Sequence, residues 1–165
     1  MGVRLSAPEP LTAAHDVATF SCGQPTLDEW LKRRALNNQK TGASRTYVVT
    51  DGARVVAYYA LASGALASSG ATGKVRRNMP DPIPVAILGR LAIDTTLQGR
   101  GLGRALFRDA ALRVLSAAQT IGIRGLLVHA ISDEVALFYR ALGLDTLPNE
   151  PRTLVVTLAE LEASL

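Results

Sequence analysis

Residues 97–106 read LQGRGLGRAL. Three glycines and two arginines stand between an apolar run that reads as a buried strand, PVAILGRLAID (84–94), and a stretch of helical periodicity opening near Gly101. Small residues at such a junction let an anion approach the main chain, and the N–H groups at a helix start receive it. The glycine spacing sorts the phosphate-binding turns. A P-loop needs GxxxxGK[ST], and no lysine follows the glycines here. A dinucleotide turn needs GxGxxG. Gly99, Gly101 and Gly103 are spaced two and two, Arg104 stands where a third glycine would be required, and the strand ahead lies mid-chain. What remains is Gln98-x-x-Gly101-x-Gly103 with Arg100 and Arg104 beside it, a pattern suited to a diphosphate.

Upstream, PTLDEWLKRRALNNQKTG (25–42) predicts a helix. Leu27, Trp30, Leu31 and Ala35 form its apolar face. Thr26 and Glu29 have the spacing of a capping box, and Gly42 ends it. Strands follow near 45–50 and 54–62, joined at Asp51-Gly52, a hairpin signal. SGALASSGATG (63–73) reads as a loop whose first part can extend the strand. KVRRNMPDPIP (74–84) holds three prolines and is no regular helix. Downstream, a helix is predicted over about 101–118, burying Phe107, Ala110, Val114 and Ala117. RGLLVHAI (124–131) is a strand. Ser132 caps a short helix, SDEVALFYRAL, with Asp133 and Glu134 in its first turn and Gly143 at its end. RTLVVTLAEL (152–161) is a final strand. The order is helix, hairpin, strand, helix, strand, helix, strand.

The chain has 165 residues, which predicts one domain, 1–165, and 48% hydrophobic content supplies a core. No apolar run approaches the ~20 residues that span a bilayer. MGVRLSAPEPLTAAHD lacks the apolar block of a signal peptide, so a cytoplasmic location is expected. One cysteine and two histidines exclude an internal disulfide and a Cys-based metal cluster, and make a His-rich site or a Ser-His-Asp triad a poor fit. No metal is expected. The net charge of +4 is compatible with a polyanionic partner.

The turn, with a strand before it and FYRALGL (138–144) some thirty residues on, resembles the Gcn5-related N-acetyltransferases (the GNAT family). The resemblance implies an α+β fold: a mixed, mostly antiparallel central sheet, splayed at the acetyl-CoA site and flanked by helices. It implies acetyl-CoA as co-substrate. The pyrophosphate would meet Gln98, Gly99, Arg100, Gly101, Leu102, Gly103 and Arg104, and the pantetheine arm the main chain of Leu91, Ala92 and Ile93. Ser132 and Phe138 are expected at the cofactor as well. Leu144 stands where the family usually has Phe. A narrower resemblance covers FSCGQPTLDEWLKRRALNNQKTGASRTYVV (20–49), VRRNMPDPIPVAILGRLAID (75–94), LQGRGLGRALFRDA (97–110) and SDEVALFYRALGL (132–144). These segments are similar to the GNAT toxins of bacterial toxin–antitoxin modules, which acetylate the α-amino group of aminoacyl-tRNA. That implies charged tRNA as substrate, a cognate antitoxin, often of ribbon-helix-helix type, and frequently a toxin homodimer.

Read alone, Tyr139 beside a stripe of Val135, Phe138 and Leu142 suits a boundary tyrosine with its hydroxyl in water. The resemblance instead makes it catalytic, protonating the leaving thiolate or supporting the tetrahedral intermediate. No general base is evident. Asp94 suits a turn-former. A free α-amino group has a pKa of roughly 7.7–8.0 against ~10.4 for lysine, so an aminoacyl ester needs less help than a lysine side chain. Arg33, Lys74, Arg76, Arg77 and Arg90, with Lys32, Arg34 and Arg45, read either as solvated surface or as a phosphate-binding face for tRNA. His129 suits a satisfied strand position, Cys22 packing, and Trp30 core packing better than base stacking. Two other functions fit the same turn: acetylation of a small-molecule or protein amine, and a non-catalytic acetyl-CoA- or RNA-binding module.

Overall fold

The computed structural model describes residues 4–165. The first three residues of the N-terminal stretch, read above as lacking a signal peptide, lie outside them. The elements are β1 (Glu9–Pro10), α1 (Pro25–Arg33), α2 (Ala35–Thr41), β2 (Arg45–Asp51), β3 (Arg54–Leu66), α3 (Gly73–Arg76), β4 (Ile83–Ile93), α4 (Leu102–Ala117), β5 (Gly125–His129), α5 (Asp133–Ala141), β6 (Asp145–Leu147), β7 (Glu150–Thr157) and α6 (Leu158–Ser164). The seven strands pair in the order β1-β2-β3-β4-β5-β7-β6. The β4–β5 pair is parallel, whereas β1–β2, β2–β3, β5–β7 and β6–β7 are antiparallel. The α+β class and the mixed, mostly antiparallel sheet are as expected.

By contact density the chain forms two units. One comprises the N-terminal segment through Ala62 with Arg90–Ala110, and the other Ser63–Gly89 with Ala111–Leu165. The first is built around Phe20, Leu31, Ala35, Val48, Val55 and Tyr58. The predicted first helix is two helices. The division falls at Arg34 (φ −119°, ψ −36°), and Leu31 and Ala35, one helical turn apart on the same face, both lie in this core. The capping box at Thr26 and Glu29 does not form. Pro25 takes the first helical position, where its missing N–H costs nothing, so the cap falls on Gln24. In the hairpin Asp51 pairs with Arg54, which moves the tight turn to Gly52-Ala53, with Gly52 at φ +66°.

The second unit has Val75, Ile83, Val85, Leu127, Leu147 and Val155 in its core. β3 does extend into the small-residue segment, to Leu66, because Gly64 has no Cβ and Ile87 packs into that space. One helical turn, α3, opens the proline-rich stretch that was expected to hold no regular helix. The predicted last strand stops at Thr157. There Thr157 Oγ1 accepts from Glu160 N–H and lies 3.1 Å from Glu160 Oε1, and α6 begins. In α4 the buried positions are Leu106, Phe107, Ala110, Ala111 and Val114. Ala117 is exposed, because the last turn runs past the core.

Candidate active site

The first unit carries the turn. β4 pairs with β5 only from Val85↔Gly125 to Leu88↔Val128. Gly89–Ile93 continue β4 beyond that register, past the end of β5 at His129. Asp94 then caps a short 3-10 turn, Thr95–Leu97, by accepting from Thr96 N–H. The chain enters α4 through Gly99 (φ +78°) and Gly101 (φ +79°). An L side chain in that region is strained by roughly 1–2 kcal/mol, so both glycines are required by the backbone. The first N–H groups of α4 have no carbonyl one turn back within the helix, and Arg100 and Arg104 are exposed beside them. This arrangement binds anions.

Gln98 does not wait for phosphate. Its Nε2 donates to Cys22 O (2.8 Å) and to Ile93 O (2.9 Å). The long amide side chain is therefore a tie between the turn, the end of β4 and the segment before α1. It also engages the Ile93 carbonyl, one of the main-chain groups expected to meet pantetheine.

Asp94 is buried and is a turn-former. Burial pushes its carboxyl upward, but donors from Thr96 N–H, Thr96 Oγ1 and Ser21 N–H, and the nearby Arg54 guanidinium, outweigh this and hold it below the ordinary value. A carboxylate so stabilised is a poor proton acceptor. Cys22 is buried, and burial, reinforced by Asp28, raises its thiol to about 11. It is protonated and is not a nucleophile at neutral pH.

Arg90 departs from the phosphate-contact reading. It is half-buried, with its Cζ 4.3 Å from the Trp30 ring centroid. Trp30 in turn stacks on Tyr58 (5.9 Å, 12°), and Tyr58 Oη donates to Leu27 O (2.7 Å). Burial lowers the Arg90 pKa from its usual value. Trp30 is thus neither plain core nor a free stacking platform; it is the ring on which a guanidinium is held, at a gain of about 0.5–2 kcal/mol. Arg33 is exposed and pairs with Glu29 (2.6 Å) one helical turn away. That pair is worth only about 0.3–0.5 kcal/mol, so a phosphate can displace it.

The second unit carries the other candidates. Ser132 is the N-cap of α5, its Oγ accepting from Val135 N–H (3.2 Å). Arg152 Nε reaches Asp133 Oδ1 (3.0 Å) and adds a second hold on that end. Gly143 closes the helix with φ +101°. The inward face differs from the predicted stripe: Ala136 and Tyr139 are buried, whereas Val135, Phe138 and Leu142 are half-buried. Tyr139 is 4% exposed, which overturns the boundary reading. Phe138 meets it edge-on (5.1 Å, 69°), and burial raises the phenol pKa well above its ordinary value. The phenol therefore stays protonated at neutral pH, with its O–H able to donate a hydrogen bond.

Lys74 lies in α3 with its Nζ 3.5 Å from Glu160 Oε2. Arg76 is exposed, with Nη1 3.5 Å from Ala71 O, and Arg77 is exposed at the end of α3. Arg124 was not singled out from the sequence. It donates to Val75 O (3.0 Å) and Lys74 O (2.7 Å) and so fixes the basic turn. His129 is a strand residue with a partner, as expected: it is exposed at the end of β5, with Nδ1 3.3 Å from Thr153 Oγ1. Among the described residues, no group of three or more His, Cys, Asp and Glu is placed to hold a metal ion.

No family model matches the chain. A tRNA-acetylating toxin of Mycobacterium tuberculosis is 48% identical over 158 residues, covering 96% of this chain and 95% of that protein. A probable toxin TacT of Sinorhizobium fredii is 30% identical over 168 residues, covering 94% and 92%. Among solved structures, AtaT complexed with acetyl-methionyl-tRNAfMet superposes with a TM-score of 0.88 at 30% identity, over 97% of this chain and 98% of that one. AtaTR bound with acetyl-CoA gives 0.84 at 32% identity, over 96% of each. An AtaT variant bound to the C-terminus of the antitoxin AtaR gives 0.82 at 29%, over 96% of each. By the 48% identity along nearly its whole length, this chain belongs to the tRNA-acetylating toxins, acetyl-CoA-dependent acyltransferases of the GNAT fold.

Proposed function

We propose that this chain transfers the acetyl group of acetyl-CoA to the α-amino group of aminoacyl-tRNA and thereby blocks translation. The observation that carries the reading is the 48% identity to a tRNA-acetylating toxin along nearly the whole length of both chains.

The residues have definite roles in that reaction. Amides of Gly99–Arg104 receive the pyrophosphate at the start of α4, with Arg100 and Arg104 adding charge. Main-chain groups of Leu91–Ile93 pair with the pantetheine arm. The neutral amine attacks the thioester carbonyl; the new C–N bond forms as the C–S bond breaks. Tyr139 gives a proton to the departing thiolate or a hydrogen bond to the developing oxyanion. Esterification of the neighbouring carboxyl leaves a useful fraction of the amine neutral at cell pH; the ammonium formed on attack loses its proton to water, and water returns to Tyr139 any proton it has given. Ser132 and Phe138 act through α5: one caps it, the other packs on the tyrosine ring.

Arg33, Lys74, Arg76 and Arg77 serve as phosphate contacts for the tRNA, and Arg90, clamped on Trp30, as part of the acceptor pocket. A cognate antitoxin is supported by the AtaT–AtaR complex, and we take the ribbon-helix-helix type and a toxin homodimer from the family pattern. A charged-tRNA substrate implies cytoplasmic work, and no helix among the described residues is long and apolar enough to cross a membrane.

The test is transfer of labelled acetyl from acetyl-CoA to charged tRNA, deacylated tRNA, small amines and protein. Label should enter charged tRNA alone and leave as N-acetyl amino acid on mild alkaline cleavage of the ester. Comparable labelling of small amines or protein would replace this reading by the corresponding alternative. Acetyl-CoA binding without transfer to any acceptor would make the protein a binding module.

A further inference from the structure

The turn that receives the diphosphate is exposed from Gln98 to Gly101, and a Cβ at Gly99 or Gly101 would meet nothing within 4 Å. Residues 98–101 themselves therefore contribute little packing that would set its shape. Its side-chain anchor is Gln98, and Gln98 is held on Cys22 O (2.8 Å). Cys22 is itself held from its other side: its N–H donates to Asp28 Oδ1 (2.9 Å). Asp28 lies in the first turn of α1, and α1 is fixed to β3 by the Tyr58 hydroxyl on Leu27 O. Two more bonds zip the same short segment to the same turn, Thr95 N–H to Ser21 O (2.9 Å) and Ser21 N–H to Asp94 Oδ2 (3.1 Å). A series of contacts thus runs from a carboxylate on α1 through Cys22 and Gln98 to the end of β4.

We propose that Asp28 is a positioning residue for acetyl-CoA. By holding Cys22 it sets where Gln98 points, and through Gln98 it sets the backbone of the diphosphate turn. A carboxylate is a stronger acceptor than a neutral group, so it suits a link that must resist thermal displacement. Donors aimed at a phosphate lose value within a fraction of an ångström of misplacement, which makes such a link functional rather than decorative. The same contacts explain the C-G-x-x-x-L-D run (22–28), whose aspartate and cysteine backbone join α1 to the cofactor turn. The proposal rests on the reading of residues 98–104 as the acetyl-CoA turn.

Acetyl-CoA titration by calorimetry, with steady-state kinetics on charged tRNA, tests it. Asp28→Ala should raise the Kd and KM for acetyl-CoA about tenfold and leave kcat at saturating acetyl-CoA within about twofold. Asp28→Asn keeps an acceptor at the same reach and should recover most of the affinity. Asp28→Glu keeps the charge but displaces Cys22, and should recover less than Asn. Gln98→Leu should lose affinity to a similar degree, and Asp28→Ala should add little in that background, as two links in one series must. If Asp28→Ala does not fold, the order of Asn above Glu still decides. The opposite order, losses that add fully, or a lowered melting temperature with unchanged Kd, would overturn the proposal. A native chain that fails to bind acetyl-CoA would overturn the reading of the turn itself, a separate result.

Discussion

Tyr139 shows how much a single residue's role depends on where its hydroxyl lies. One position along α5 from Phe138, it sits on the buried face, and burial raises its pKa. A phenol in that state stays protonated and offers an O–H hydrogen bond, which is what its proposed role requires. Tyr139→Phe removes only the oxygen. Acetyl-CoA affinity should stay near normal while the single-turnover rate falls about 10²–10⁴-fold, the range for lost acid–base help. In both proteins the rate should rise with pH through the pKa of the acceptor amine, because that amine and not the enzyme supplies the titrating base. An unchanged single-turnover rate would make Tyr139 a packing residue. Asp94 shows the converse. A carboxylate at a strand end has the composition of a base, but three donors and the nearby Arg54 guanidinium hold its charge in place.

At the scale of elements, the glycine turn and α4 form a unit whose function follows from backbone geometry. Gly101→Glu puts a side chain on a residue at φ +79° and a negative charge at the helix start. Acetyl-CoA binding should be abolished by calorimetry while the far-UV circular dichroism stays native, because the side chain costs only the roughly 1–2 kcal/mol of local backbone strain and its Cβ meets no other atom within 4 Å. Normal affinity in that variant would remove the turn from the mechanism. Helix starts teach a second lesson. The spacing T-x-x-E occurs at Thr26–Glu29 and at Thr157–Glu160, and only the second caps a helix. Pro25 at the first helical position moves the cap two residues upstream, to Gln24, in the first case. In the second, Thr157 ends a strand in extended geometry (φ −69°, ψ 152°), as an N-cap requires.

At the scale of the molecule, the charges divide into two kinds. Arg77 is exposed, whereas Arg90 is half-buried against Trp30. Arg77→Ala should weaken use of charged tRNA, by a factor that shrinks as salt rises and is similar for different tRNAs, since phosphate contacts release counterions and carry little sequence information. Arg90→Ala should weaken transfer to charged tRNA and to a small aminoacyl ester alike, with little dependence on salt. Kinetics on both acceptors between low and moderate salt separate the two. A salt-sensitive loss confined to tRNA would make Arg90 a phosphate contact as well, and no loss from either variant at low salt would make both cations solvated surface.

The sequence by itself determined the class of fold, the anion turn and the helix that carries Tyr139, because each rests on local rules: period-2 and period-3.6 patterning, glycine at positive φ, and a serine cap. The family followed from the motifs at 20–49 and 97–110. Tertiary structure alone decided what nonlocal packing decides. It added the short strands β1 and β6, which are too brief to leave a pattern. It also assigned partners across the chain: Arg90 to Trp30, Asp94 to Ser21, and Gln98 to Cys22, seventy-six positions away. A side chain's hydrogen-bonding capacity is written in its residue type, but the carbonyl that satisfies it is supplied by whichever segment the folded backbone brings within about 3 Å.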